Sequence, residues 1–186
     1  MMSGAEEHWI RWWCAPWEWA HADWIDVFAD HCGVTREDCA ELLGTRHNVF
    51  LHSVGVVPSQ PPPPVEPLMQ WLQLDEAQQH RALSLAGRIC FGQGGEASVD
   101  DAVQVHEPWC RAVAKALRPG LWLDASVTDA RVLLAAWAGE PCWSRLRLSW
   151  APDALPSPCA KLSENALPEN KLQTLWHSVL WRVTTP

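Results

Sequence analysis

The sequence has no tyrosine, three phenylalanines and few charged residues. Charged side chains make up 19% of its 186 residues, whereas about a quarter is usual in soluble domains. Against these absences stand 14 tryptophans. Arginine also greatly outnumbers lysine, which together with the tryptophan excess indicates a compositional bias. An individual tryptophan therefore carries less functional information here than it would in an ordinary sequence.

Long apolar runs are absent as well. No stretch of about 18 apolar residues occurs, so the sequence predicts no transmembrane helix. The first residues, MMSGAEEHWIRWW, carry acids where a secretory signal has basic residues, and they lack its apolar centre. We therefore expect a cytoplasmic protein that does not insert directly into a membrane.

Clusters of basic residues are also missing. The net charge is −8, and it is concentrated in residues 1–67, where ten acids face three arginines. Phosphate backbones are bound by clustered lysine and arginine side chains. The charge pattern therefore argues against a nucleic-acid partner.

Sequence motifs for catalysis and metal binding are lacking. The glycines of 92–95 are not followed by the lysine of a phosphate-binding loop, so they are interpreted as a helix stop. The seven cysteines contain no C-x-x-C pair, and His21, His31, Cys32 and Cys39 lack the close spacing of zinc ligands. We expect no catalytic residues, cofactor or metal. A small metal-dependent or thiol-dependent enzyme is the alternative.

The densest feature is residues 9–24, which read WIRWWCAPWEWAHADW and contain six tryptophans. Nearby acids argue against insertion into a membrane surface, which favours lysine and arginine beside tryptophan. The expected cytoplasmic location argues against a carbohydrate-binding role. The remaining interpretation is that some of these tryptophans are buried in a core and others form a protein interface. We predict that Trp24 is buried. Any exposed tryptophan would mark a docking surface.

The apolar periodicity predicts a mainly α, compact multi-helix domain with one or two short β-strands. Predicted helices span 22–31, 35–43, 68–91 (one helix or two), 103–117, 126–138 and 172–183, with a capping box at 98–101 and a kink or break at Pro108. Residues 143–150 alternate between apolar and polar and predict a strand, with Arg145 and Arg147 on its solvent face. Residues 48–51 are predicted to be a strand or irregular.

A proline-rich segment, 58–67, is expected to be an extended connector. It separates an acidic, tryptophan-rich part, 1–57, from a helical part, 68–186, and the whole is expected to form one compact domain. The run Pro61–Pro64 is interpreted as a spacer. The alternative is a generic helical scaffold that uses this run to bind an SH3-like partner.

Three segments resemble a known family. Residues 133–152, LLAAWAGEPCWSRLRLSWAP, are similar to a late segment of the type III secretion sorting-platform protein K family (SctK/YscK-like), in which a Leu-Ala-Ala helix precedes Pro, Trp and an Arg-Leu-x-Leu strand. Residues 13–21, WCAPWEWAH, resemble its N-terminal Cys-Pro-aromatic-His pattern, with proline displaced by one place and Trp where Tyr is usual. Residues 88–90 match a third segment.

The resemblance implies a mostly helical, non-enzymatic adaptor of the injectisome. Such proteins bridge the cytosolic domain of the inner-membrane ring and the pod protein of the sorting platform, which also includes the secretion ATPase and its stator. The chain would then be associated peripherally with the inner membrane through the secretion apparatus. The candidate partner-binding residues are Trp12, Trp13, Trp17, Arg145 and Arg147.

Overall fold

The computed structural model describes residues 4–92, 105–156 and 167–185. Within these ranges the chain is mainly helical and contains no β-strand. The α-helices are α1 (Gly4–Cys14), α2 (Ala22–Cys32), α3 (Cys39–Thr45), α4 (His47–Ser53), α5 (Glu66–Gln73), α6 (Glu76–Phe91), α7 (Glu107–Leu117), α8 (Ala130–Ala138), α9 (Glu140–Leu146) and α10 (Glu169–Thr184). Short 3-10 turns are found at Pro16–Glu18, Pro119–Leu121, Arg147–Ser149 and Pro152–Ala154. No described helix is long and apolar enough to cross a bilayer.

The chain divides into two compact units. Unit 1 contains α1 to α4, the chain up to Pro64, and the later segment Gly139–Leu155 with α9. Unit 2 contains α5 to α8 and α10. This division differs from the expected single domain and its linear parts 1–57, 58–67 and 68–186. No local pattern predicts that 139–155 returns to the N-terminal unit, because its hydrogen-bond partners there are more than 90 positions away in the chain.

Helix α2 begins and ends close to where the sequence predicts. The imidazole of His21 accepts a hydrogen bond from the backbone N–H of Asp23, which caps the first turn. Gly33 adopts the left-handed conformation, with φ of 66°, that commonly ends a helix. Trp24, predicted to be buried, is 7% exposed and packs in a core with Phe28.

Unit 2 is built around α6 and α10. The predicted segment 68–91 is two helices, and a capping box between Asp75 and Gln78 starts the second. In α10 the apolar stripe is buried as the 3.6-residue period predicts. Its Trp176 stacks against Trp137 with 5.6 Å between ring centroids and meets Trp71 edge-on at 5.7 Å. Its indole N–H donates to the Leu133 carbonyl at 3.3 Å.

The predicted strand at 143–150 is wrong. Gly139, with φ of 74°, precedes α9, and Pro141 lies in the first turn of that helix. Arg147–Ser149 then forms a 3-10 turn. The alternation of arginine and leucine resembled a half-exposed strand only because arginine was taken to be exposed. Here Arg145 is as buried as its leucine neighbours.

Other expectations changed in detail. Residues 48–51 lie in α4, not in a strand. Pro108 occupies the first turn of α7, where a missing N–H costs nothing, so it produces no kink. The capping box expected at 98–101 lies outside the described residues. Helix α1 was not predicted, although Trp9, Trp12 and Trp13 have the i, i+3, i+4 spacing of one helical face.

Candidate functional site

The tryptophans of α1 form a buried aromatic layer in unit 1. Trp9, Trp12 and Trp13 are all at most 2% exposed. The ring centroids of Trp9 lie 5.2 Å from Trp12 and 6.2 Å from Trp13. Trp12 and Trp13 were predicted to bind a partner, but their side chains are not accessible to one. Their spacing on the helix buries all three rings on the same face.

The proline-rich segment lies against two of these tryptophans. We call residues 58–64 the strap. The indole N–H of Trp9 donates to the Pro62 carbonyl at 2.9 Å, and that of Trp13 donates to the Ser59 carbonyl at 2.9 Å. Buried tryptophan side chains usually need such an acceptor. The strap therefore satisfies both indole donors.

Arg145 is a buried cation rather than a solvated one. Its side chain is 2% exposed, and its guanidinium carbon lies 3.7 Å from the Trp13 ring centroid. Its Nε donates to the Trp13 carbonyl at 3.2 Å, and Nη1 donates to the Pro141 carbonyl at 3.1 Å. Burial lowers the pKa of the guanidinium. The solvent-facing position predicted for Arg145 is therefore wrong.

Arg147 has a similar position beside α2. Its Nη2 donates to the Val54 carbonyl, and its guanidinium carbon lies 5.0 Å from the Trp24 ring centroid. The Trp24 indole N–H in turn donates to the Trp150 carbonyl at 2.9 Å. A side-chain carbon added at Gly55, whose φ is 68°, would lie 3.5 Å from Arg147 Nη2. Arg147 is half-buried and holds the end of α4 to the returning segment.

Trp17 is the remaining predicted contact residue. It is half-buried and packs edge-on against Phe50, with 5.9 Å between centroids, and beside His47 at 6.5 Å. The structure thus brings Trp13 and Arg145 together but places them inside unit 1. Only Trp17 and Arg147 of the five candidates retain partial exposure.

The exposed surface of unit 1 includes an acidic face on α2. Asp23 and Asp30 are exposed, and Asp26 is half-buried between them in sequence. Val27 lies among these acids and is 36% exposed. Arg36 approaches Asp26 at 3.4 Å. We call Asp23, Asp26, Val27 and Asp30 the acidic face.

The exposed surface of α10 in unit 2 has a different chemistry. Its solvent-facing positions after the first residue carry no charge: Asn170, Gln173, Thr174, His177, Trp181 and Thr184. Trp181 is 58% exposed, which is unusual for so large an apolar side chain. We call these six residues the uncharged face. Trp181 was not among the predicted contact residues, although the buried stripe of α10 already places it on the opposite side of the helix.

A half-buried polar cluster lies in unit 2. His106 Nδ1 accepts hydrogen bonds from Nε and Nη2 of Arg182, at 3.1 and 2.9 Å. The Arg182 guanidinium also lies 5.9 Å from the Trp109 ring centroid. Desolvation by burial, Arg182 and then Arg81 lower the pKa of His106. The structure therefore favours a neutral imidazole at this position.

The described cysteines are poor nucleophiles where they are buried. Burial raises the pKa of Cys90 to about 12 and, with help from Glu107, that of Cys110 to about 11. Burial also raises the pKa of Cys39 and Cys142. Because the thiolate is the reactive form, these four residues are unsuited to thiol catalysis. Among the described residues, no three His, Cys, Asp or Glu side chains are grouped so that they could hold a metal ion.

The comparisons with known proteins identify no relative. Neither the protein-family models, nor the curated proteins, nor the solved structures gave a match to this chain. Function must therefore be argued from the residues and their arrangement.

Proposed function

We propose that this chain is a non-enzymatic adaptor of the type III secretion sorting platform. It would bridge the cytosolic domain of the inner-membrane ring and the pod protein, and through the pod it would reach the secretion ATPase and stator. Its place would be the cytoplasmic side of the inner membrane, held there through the secretion apparatus. The choice of the sorting platform as the assembly rests on the sequence resemblance. The bridging role is supported by the surfaces described above.

The observation that carries the proposal is the difference between two exposed helix faces. Unit 1 presents the acidic face of α2, and unit 2 presents the uncharged face of α10 with Trp181 exposed. Like charges across an interface are costly, so an acidic face selects a basic partner surface. An exposed tryptophan instead suits an apolar pocket and is a common anchor of protein interfaces. Two such faces fit two different partners.

Two of the segments that carry the resemblance, 13–21 and the part of 133–152 from Gly139 onward, contact each other in unit 1. Arg145, from 133–152, donates to the Trp13 carbonyl, and the backbone N–H of His21 donates to the Leu148 carbonyl at 2.7 Å. Both contacts link the N-terminal pattern to the later segment. This supports the interpretation of both patterns as one structural signature rather than two separate binding motifs.

Reconstitution with purified partners tests the proposal. The chain would be mixed with the ring's cytosolic domain, with the pod protein, and with both, and the masses of the complexes would be measured by mass photometry. We expect each pairwise complex and a ternary complex that the two partners do not form without the chain. Binding to neither partner, alone or together, would contradict the proposal.

A further inference from the structure

The contact between α1 and the strap has the geometry of polyproline recognition. Trp9 and Trp13 lie one helical turn apart on the same face of α1. The carbonyls they bind, those of Pro62 and Ser59, are three residues apart. Three residues make one turn of a polyproline II helix, which repeats the same carbonyl direction. The later carbonyl pairs with the earlier tryptophan, so the strap runs antiparallel to α1.

The chemistry of the contact also matches. Proline has no backbone N–H, so the carbonyl oxygens are the main polar groups that a proline-rich segment offers. Modules that bind such segments use aromatic grooves whose side chains donate to these carbonyls. Here both donors come from rings that are at most 1% exposed, and the two bonds are equal in length.

The strap is held on one side only. Ser59 and Gln60 are exposed, and so are Pro63 and Pro64. Residues 57–64 form neither helix nor strand. The strap therefore lies on the protein as a bound peptide does, with one edge on the tryptophans and the other in solvent.

We propose that Trp9 and Trp13 form a polyproline-recognition site, which the strap occupies and which binds an extended proline-rich peptide of another chain when the strap is released. The strap is then an internal competitor. A tethered segment has an effective concentration on the order of millimolar. A peptide added at micromolar concentration therefore does not displace the strap from the site in the intact chain.

A variant with a weakened strap frees the site, so that peptide binding to it can be measured. Replacing Pro61, Pro62, Pro63 and Pro64 by Ser, Gly, Ser and Gly keeps the chain length but removes the preformed extended conformation. The probe is the synthetic peptide VPSQPPPPVE, which copies residues 57–66. The control peptide is VPSQSGSGVE. Binding is followed by the indole N–H resonances of Trp9 and Trp13 in a ¹⁵N-labelled protein, assigned from single Trp→Phe variants.

In this variant we expect the two indole resonances to move away from their wild-type positions and to return when VPSQPPPPVE is added. The control peptide should have no effect, and neither peptide should shift these resonances in the intact chain. Adding Trp13→Phe should weaken peptide binding roughly two- to tenfold, the value of one net hydrogen bond. Trp24→Phe, which removes a comparable indole–carbonyl bond elsewhere in unit 1, should leave it unchanged. If the peptide fails to move the resonances in a folded variant, the proposal is overturned.

A second measurement does not depend on the strap-weakened variant folding. In the otherwise intact chain, Trp13→Phe should lower the ¹H–¹⁵N heteronuclear NOE of the Ser59 and Gln60 amides, because one of the two bonds that hold the strap is gone and this segment gains nanosecond mobility. Trp24→Phe should leave both NOE values unchanged. Equal NOE values at these two amides in both variants would show that the indole does not hold the strap, and the recognition site would be rejected.

Discussion

Two arginines of the segment 139–155 hold it to distant parts of unit 1. Arg145 and Arg147 donate to backbone carbonyls and lie over the rings of Trp13 and Trp24. Leucine and arginine alternate in this segment, but Arg145 is buried like the leucines and Arg147 is half-buried. The sequence pattern could not reveal this, since the Trp13 and Val54 carbonyls that accept from these arginines are far away in the chain.

Arg145→Met tests whether this contact stabilises the fold. Methionine keeps much of the volume but leaves the Trp13 carbonyl without its side-chain donor, whereas the Pro141 carbonyl keeps the Ser144 hydroxyl as a donor. One unsatisfied buried acceptor costs about 1–3 kcal/mol, and the lost cation–π contact with Trp13 adds about 1–2 kcal/mol, so we expect a loss of about 2–4 kcal/mol in the free energy of unfolding, measured in urea. Arg111→Met is the control, because Arg111 is 74% exposed and its pair with Glu107 should contribute less than about 1 kcal/mol. A similar small loss for Arg145→Met would mean that desolvation of the guanidinium offsets its contacts.

His106 makes the stability of unit 2 depend on pH. Burial, Arg182 and Arg81 lower its pKa in the folded chain, while the unfolded chain keeps a pKa of about 6.5. The nearby charged groups of the described helices also include Glu107, which pairs with Arg88 and Arg111. As the pH falls below about 6.5, the unfolded chain takes up the proton first, so the His106 contribution to stability is full above this pH and is lost below it.

The variant His106→Gln retains an acceptor for Arg182 but does not titrate. We expect its melting temperature to fall less between pH 7.5 and pH 5.5 than that of the wild type. His177→Gln removes an exposed histidine of α10 and should leave the wild-type pH dependence in place. The same pH dependence in His106→Gln and wild type would show that other groups cause it.

At the scale of elements, local signals located the helices whose ends are set by their own residues. The left-handed Gly33 ends α2, and the apolar stripe of α10 is continuous. The Asp75–Gln78 box that starts α6 is equally local, but it was not recognised in the sequence. Elements defined by distant contacts were missed. The tryptophans of helix α1 have helical spacing, but the cysteine, proline and histidine beside them directed attention to a binding motif. Helix α9 was predicted as a strand because its arginine was taken to face solvent, whereas it contacts other parts of unit 1.

Replacing Gly33 or Gly44 by alanine should change the free energy of unfolding in opposite directions, although the space around the two glycines is similar. A side-chain carbon at Gly33 or Gly44 would meet nothing within 4 Å, so space does not distinguish them. Gly33 has φ of 66°, and Gly33→Ala should destabilise the fold by roughly 1 kcal/mol. Gly44 lies within helix α3, and Gly44→Ala should stabilise it by roughly 0.5 kcal/mol. Chemical unfolding of both variants measures the difference, and a shared sign would contradict the cap assigned to Gly33.

For the whole molecule, the sequence predicted a mainly helical chain and an acidic N-terminal part, and both describe the structure at that level. It did not predict two units in which 139–155 joins the first, because this segment packs Leu148 into the unit 1 core and donates hydrogen bonds to carbonyls of residues more than 90 positions away. The two candidate faces also emerged only from the structure. Trp181 becomes visible as a surface residue once the buried side of α10 is known.

The most direct test of the adaptor account measures the affinity of each partner for two surface variants. Asp23→Lys with Asp30→Lys reverses the acidic face, and Trp181→Ala removes the anchor of the uncharged face. Asp153→Lys and Leu121→Ser change an exposed acid and an exposed apolar residue elsewhere and serve as controls. The account predicts that each variant loses at least tenfold in affinity, or about 1.4 kcal/mol, for one partner and keeps the other. If both variants weaken the same partner, or if neither differs from its control, the two-face adaptor is wrong.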